Sequence, residues 1–378
     1  VKVIVVGAGI MGLAAAWALH CHGHQVEVYE QGSIPNPLGS SVDQHRLIRF
    51  PYGSERGYTR MVAEAYQAWE QLWADLEGAN DLGERDPGKG LYATTGTLVL
   101  VSNAEQWAAE SAATMEQLGL PVSWLSPDQV RQAFPLLELD GVSRAFHLQS
   151  GGVLLAERIV AALAQHLARQ GVALHSHQAV WELDPERARL VLADGSVVGA
   201  DRLVIAAGPW VSRLLPDLAK RVTPSRQVVV YLEPPAELAS AWAAMPMVLD
   251  IDPQSGLYLV PPVLGTGLKL GNHCFTLAGD PDCERIPTAA EAQAMFEQGR
   301  HRLKDFDRYR LQSTRTCFYT VEANEQFILE PVGNAWLMTG FSGHGFKFAS
   351  VLGLALAETL AGKRTAAELS QWAAGQAD

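Results

Sequence analysis

A chain of 378 residues is too long for one small core and suits two domains. With 48% hydrophobic and 19% charged residues it is no disordered chain, and its net charge of −12 excludes the basic face that nucleic acid needs and disfavours anionic membranes. No uninterrupted apolar run approaches the ~18 residues that span a bilayer, and four cysteines (Cys21, Cys274, Cys283, Cys317) make no disulfide framework; with the sequence opening directly in a strand, a reducing, cytoplasmic location without a leader is expected.

Lys2–Val6 is a β-branched run that ends at Gly7-Ala8-Gly9-Ile10-Met11-Gly12 and passes into a helical pattern over 13–19. The first two glycines allow a tight turn and close backbone approach, and the third lets helix pack on strand. The backbone of Gly7, Gly9, Ile10, Met11 and Gly12 is therefore the expected cradle for a pyrophosphate at a helix N-terminus. Gln25–Tyr29 reads as the next strand, and Glu30 closes it with a carboxylate placed for ribose hydroxyls. This is a dinucleotide site, and it does not by itself distinguish FAD from NAD. The tract His20-Cys21-His22-Gly23-His24 has the composition of a metal site, but it falls where the first helix turns into the second strand, with Gly23 as a cap, so no metal is expected.

A loop over 32–52 follows, then an amphipathic helix over 58–72. Residues 91–101 are strand-like and open a second region, and 105–134 read mostly as helix and linker. Residues 151–155 lead into a helix that runs through 169, and strands near 173–177 and 180–183 read as a return to the nucleotide domain, with Val180 an expected nucleotide contact. The run 203–210 is a buried strand ending in small residues, at Gly208. Such strands commonly return to the nucleotide in FAD proteins, and an ordinary core strand reads the same. From 224 to 315 strand runs separated by prolines indicate an antiparallel sheet, and residues 335–339 with a helix over 349–360 complete the nucleotide domain.

Three stretches carry chemistry. Cys317 stands in Arg315-Thr316-Cys317-Phe318-Tyr319-Thr320, where alternation along a strand turns Cys317 and Tyr319 to one face; a small buried hydrophobe is the plain alternative for the cysteine. In Gly340-Phe341-Ser342-Gly343-His344-Gly345-Phe346-Lys347-Phe348, small residues let backbone N–H groups approach a ligand at a helix start, and Lys347 adds a cation. The loop 45–53 holds Arg46 and Arg49, and 267–273 holds Lys269 and His273. A solvated lysine, a core histidine and a core tyrosine remain open for Lys269, His273 and Tyr258.

Together these stretches resemble the monomeric sarcosine oxidase family of flavoenzymes, which includes N-methyltryptophan oxidase and L-pipecolate oxidase. The resemblance runs from residue 1 to about 365. It implies an α/β fold in which a Rossmann-like FAD-binding domain (1–85, 145–220 and 316–378) is interleaved with an antiparallel-sheet substrate domain (86–144 and 221–315). It also implies FAD bound covalently through Cys317, with Gly343, Gly345, Phe346 and Lys347 beside it and Arg46 facing the flavin. Arg49 and Lys347 match the residues that grip the substrate carboxylate, and a planar guanidinium suits two carboxylate oxygens. Tyr319, Tyr258 and His273 match substrate-pocket positions, and Lys269 matches a lysine over the flavin, suited to stabilise charge developing on dioxygen.

The loop departs from the family at Val42, where a histidine is usual, and at His45, where a threonine is usual, so roles at those two positions are not carried over. The implied function is oxidation of a secondary-amine amino acid (sarcosine, an N-methyl amino acid or L-pipecolate) to an imine with release of hydrogen peroxide. The helix over 58–72 leans towards L-pipecolate oxidase. A dehydrogenase passing electrons to another acceptor, and a flavin-binding protein without turnover, are the alternatives. Oligomeric state is not readable, a monomer being compatible with the chain.

Overall fold

The computed structural model describes residues 1–77, 90–251 and 256–376. Strand Lys2–Val6 lies inside a six-stranded sheet with the order Ile328–Val332, Ala335–Thr339, Arg202–Ile205, Lys2–Val6, Gln25–Tyr29, Ala173–His175. All neighbours are parallel except the first pair. A parallel sheet covered on both faces demands unbroken apolar strands, and Val3, Ile4 and Val5 are fully buried. Helix Ile10–Cys21 is buried from Ile10 to Leu19, between this sheet and helix Ala349–Leu360. It ends at His22, whose N–H reaches the Ala18 carbonyl, with Gly23 following at φ +79°. Thus the His/Cys tract is a helix cap.

The second large sheet has eight strands, in the order Arg310–Glu322, Val222–Glu233, Leu268–Asn272, Leu257–Val260, Met247–Ile251, Thr97–Val101, Arg144–Leu148, Ser123–Leu125. It is antiparallel, as expected for 224–315, except where Met247–Ile251 meets Thr97–Val101 in parallel. Those two strands come from distant chain segments, and no hairpin dictates their relative direction.

The stretch 91–101 is two strands. Tyr92–Thr94 pairs with Gly152–Leu154, which also pairs with Arg46–Ile48 from inside the expected 32–52 loop, while Thr97–Val101 enters the large sheet. Of the two strands expected to return to the nucleotide sheet only Ala173–His175 does so. Val180–Asp184 joins Arg189–Leu192 and Val197–Gly199 in a separate three-stranded sheet. The boundary expected at 85/86 lies outside the described residues, and that at 315/316 falls within the continuous strand Arg310–Glu322. No helix among the described residues is long and apolar enough to cross a membrane, and no group of three His, Cys, Asp or Glu among them could hold a metal ion.

The contact between helices Ile10–Cys21 and Ala349–Leu360 depends on Gly353, where an added Cβ would stand 2.6 Å from the Ala14 carbonyl oxygen. Gly353→Ala is therefore expected to lower stability by about 1–3 kcal/mol, the usual cost of overpacking. Urea unfolding checks this; an unchanged midpoint would mean the helices separate freely.

Candidate active site

The glycine loop closes on itself. A Cβ at Gly12 would stand 1.9 Å from the Gly7 carbonyl oxygen, and one at Gly7 would stand 2.5 Å from the Ala206 carbonyl oxygen, so strand, helix and the end of Arg202–Ile205 meet at van der Waals distance. Glu30 is buried beside this loop, and its carboxylate accepts from the N–H groups of Ala8 (2.8 Å) and Gly32 (3.0 Å) and from Asn36 Nδ2 (2.8 Å). A cleft runs along Gly7, Gly9, Ile10, Met11 and Glu30, past Val42 and Gly208, to Gly343, Gly345 and Phe346. Gly12 contributes the close helix approach and not the cleft wall. Val180 is not among the lining residues; it pairs with Leu192, two residues beyond Gln178, whose N–H binds the Glu30 carbonyl.

A second cavity of about 630 Å³ adjoins the cleft, and Arg46, Tyr319, Gly343 and Phe346 line both. An acid at the end of the second strand, a glycine cradle and a passage into a larger chamber fit a dinucleotide whose reactive end enters that chamber. Cys317 and Tyr319 both line the chamber, as strand alternation requires, and so do Lys269, Tyr258, His273, Arg49 and Lys347. The separate stretches thus converge on one space. Tyr258 fits because residue 271 is glycine, since a Cβ there would stand 2.4 Å from the Tyr258 hydroxyl. His273 lies towards solvent, its Nε2 3.2 Å from Glu325. Burial pushes the Tyr319 phenol up to about 12 and the Tyr258 phenol well above its ordinary value, so both are neutral hydrogen-bonding groups.

Lys347 is only 3% exposed, and its Nζ donates to the Tyr52 hydroxyl and the His344 carbonyl, both at 2.7 Å. Its backbone is held by Trp69 of helix Arg56–Glu77, whose Nε1 donates to the Lys347 carbonyl at 2.7 Å. Arg49 donates to the Pro51 carbonyl and its guanidinium carbon lies 4.6 Å from the Tyr52 ring centre. Burial, with Arg49 nearby, holds the Lys347 ammonium well below the usual lysine range. Two basic side chains thus share one wall, and the ammonium has neutral partners only.

Lys269 is different: its Nζ lies 2.5 Å from Asp43 Oδ2, and both side chains are almost fully buried. Asp43 also accepts from Arg46, from the Tyr231 hydroxyl at 2.5 Å and from the Gln44 N–H at 2.8 Å. Burial alone would raise its pKa, but Lys269 and Arg46 hold the carboxyl well below the usual range. His45 stands beside this group with Nε2 3.3 Å from the Gly267 carbonyl, and burial with Lys269 lowers its imidazole to about 4, leaving it uncharged. Sequence reasoning assigned Asp43, Tyr231 and Tyr52 no role. The available signal for Asp43 was an acid three residues before Arg46 in a loop otherwise matched to a flavin contact.

The chain matches the FAD dependent oxidoreductase (DAO) family over residues 2–359. It is 29% identical to the monomeric sarcosine oxidase of Bacillus sp. (strain B-0618), over 96% of this chain and 92% of that one. To the peroxisomal sarcosine oxidase of Homo sapiens it is 31% identical, over 94% and 90%. Among solved structures, the L-proline dehydrogenase of P.horikoshii superposes with a TM-score of 0.81 at 18% identity, covering 99% of this chain and 96% of that one, a likeness of fold. The shared fold, the built dinucleotide cleft and the family match give one conclusion: the chain belongs to the FAD dependent oxidoreductase family.

Proposed function

We propose that this protein is an FAD-dependent oxidase of amino acids whose nitrogen is a secondary amine, such as sarcosine, other N-methyl amino acids or L-pipecolate, and that it releases an imine and hydrogen peroxide. The observation that carries the reading is the convergence of Arg49, Lys347, Cys317, Tyr319 and Lys269 on one chamber that opens from the nucleotide cleft. The sarcosine oxidases of comparable length support it.

FAD supplies the two-electron acceptor. Gly7 to Gly12 and Glu30 would hold its nucleotide end, Arg46 lies at the passage, and Cys317 would be the site of a thioether to the flavin. Arg49 and Lys347 bind the substrate carboxylate, which leaves the amine to the phenols of Tyr319 and Tyr258. The substrate nitrogen need only be unprotonated, so no protein base is assigned. Two electrons leave the substrate's C–N unit as the imine forms; dioxygen accepts them with two protons and becomes hydrogen peroxide, with Lys269 as the cation that stabilises the charge developing on it. Among the described residues, the eight-stranded sheet is assigned to the substrate domain and the six-stranded sheet to the FAD domain.

Covalent attachment predicts that acid precipitation leaves yellow colour in the pellet of the parent protein and that Cys317→Ser releases it to the supernatant. Free FAD from the parent would refute the thioether.

The clamp makes a second prediction. Replacing Arg49 or Lys347 by an uncharged residue weakens carboxylate binding by ~2–5 kcal/mol, as loss of one partner of a buried charge pair does, while amines without a carboxylate bind almost as before. Lys347 begins with a lowered pKa, and a bound carboxylate raises it, so binding takes up a proton. Affinity is full below the pKa of the free protein and falls by about tenfold per pH unit as pH rises from there towards the pKa of the complex. Titrating a carboxylate that lacks an amine, read by flavin absorbance, gives this slope in the parent, and Lys347→Met removes it. A pH-independent affinity in the parent would contradict the assignment.

A further inference from the structure

We propose that Asp43 is the positioning residue of the oxygen half-reaction: its carboxylate fixes Lys269 at the chamber wall and keeps it an ammonium. This rests on the oxidase reading above and extends it to a residue that the family resemblance does not assign.

The geometry is a closed buried network. Asp43 Oδ2 takes the Lys269 Nζ at 2.5 Å, and Oδ1 takes the Tyr231 hydroxyl at 2.5 Å and the Gln44 N–H at 2.8 Å, with Arg46 on the same carboxylate. Lys269 extends from strand Leu268–Asn272 between strands Val222–Glu233 and Leu257–Val260. The titratable groups around it are Tyr231 from the first of these strands and Tyr258 from the second, Cys317 and Tyr319 from Arg310–Glu322, and Asp43, His45 and Arg46 from the loop and strand 43–48. Asp43 is the one carboxylate in this group; His45 and the three tyrosines are neutral near pH 7.

An ammonium withdrawn from water beside a guanidinium sheds its proton unless an anion compensates it. Burial lowers the Lys269 pKa and Asp43 works against that. Without Asp43 the two cations repel each other in a dry site, and the lysine becomes a neutral amine with no charge to offer an electron arriving on dioxygen. The sign follows: in Asp43→Asn the Lys269 pKa falls, so oxygen reactivity persists below that lowered value and is lost as pH rises through it.

The test reduces the flavin of the purified holoprotein with dithionite, so that no amino acid is needed, and mixes it with dioxygen in a stopped-flow instrument from pH 6 to pH 10. The parent is expected to keep its rate over most of this range. In Asp43→Asn the rate should fall by at least about tenfold more than the parent's between pH 6 and pH 9, one pKa unit being a tenfold change, and Asp43→Glu should restore the parent profile. A second readout is independent of turnover: Asp43→Asn lowers the thermal unfolding midpoint, and adding Lys269→Met to it recovers part of the loss because the orphaned cation is gone.

Identical pH profiles for parent and Asp43→Asn, strictly additive losses of melting temperature, or a parent whose reduced flavin does not react with dioxygen would each overturn the proposal. Should Asp43→Asn fail to fold, folding of the Asp43→Asn/Lys269→Met protein supports it. Failure of that double variant as well means that Asp43 serves the loop and not the lysine, and overturns it. If amino acids fail to reduce the flavin, the substrate reading falls while this measurement stands.

Discussion

The buried Asp43 carboxylate ties together parts of the chain that share no sequence neighbourhood. Lys269 and Tyr231 belong to the eight-stranded sheet, whereas Asp43 and Arg46 belong to the stretch whose Ser40, Ser41 and Val42 line the nucleotide cleft. Removing three charges from water costs several kcal/mol per ion, and close geometry with every lone pair occupied is what offsets it. Such a network has one good arrangement and many poor ones. It joins the stretch that lines the nucleotide cleft to the sheet that walls the larger chamber.

The Lys347 wall uses the opposite electrostatics. There the ammonium has only a hydroxyl and a carbonyl for partners, with Arg49 lying nearby. On the proposed clamp, a second basic group there disfavours the empty state, which an incoming carboxylate would relieve. Lys269 carries its counter-ion within the fold, whereas the hydrogen-bond partners of Lys347 are a hydroxyl and a carbonyl. The first arrangement gives a fixed field; the second, on the proposed clamp, would make charge a condition of binding.

What the sequence disclosed follows from how local each requirement is. The Gly7 to Gly12 turn is legible because backbone contact admits no side chain, and the resulting strand, helix and acid lie within thirty residues. Cys317 with Tyr319, and Gly343 with Lys347, are legible as short motifs with a shared strand face or a helix start. Asp43 was not, because its partners stand 188 and 226 residues away and an acid in a polar loop has a solvated reading by default. The parallel meeting of Met247–Ile251 with Thr97–Val101 was equally hidden, since the period-2 pattern of a strand carries no information on direction. The split of 91–101 into two strands in different sheets turns on Thr95-Gly96, where Gly96 takes φ +76°, a local break that threonines on either side disguise as continuing strand.

Strand Arg310–Glu322 explains why the cysteine can be placed so closely. It is the edge of the eight-stranded sheet, and an edge presents a row of unpaired backbone groups. Here two of those groups are engaged by the loops of the cleft: Ser40 Oγ donates to the Phe318 carbonyl at 2.5 Å, and the Ser342 N–H donates to the Thr320 carbonyl at 3.0 Å. Cys317 and Tyr319 alternate with these residues. The glycine-rich segment 340–345 and the loop 39–46 are thus docked on the same ledge, one from each side of Tyr319. An edge strand that would otherwise invite another chain is closed by the protein's own loops, and that closure brings the thiol, the phenol and the nucleotide cleft to a common line.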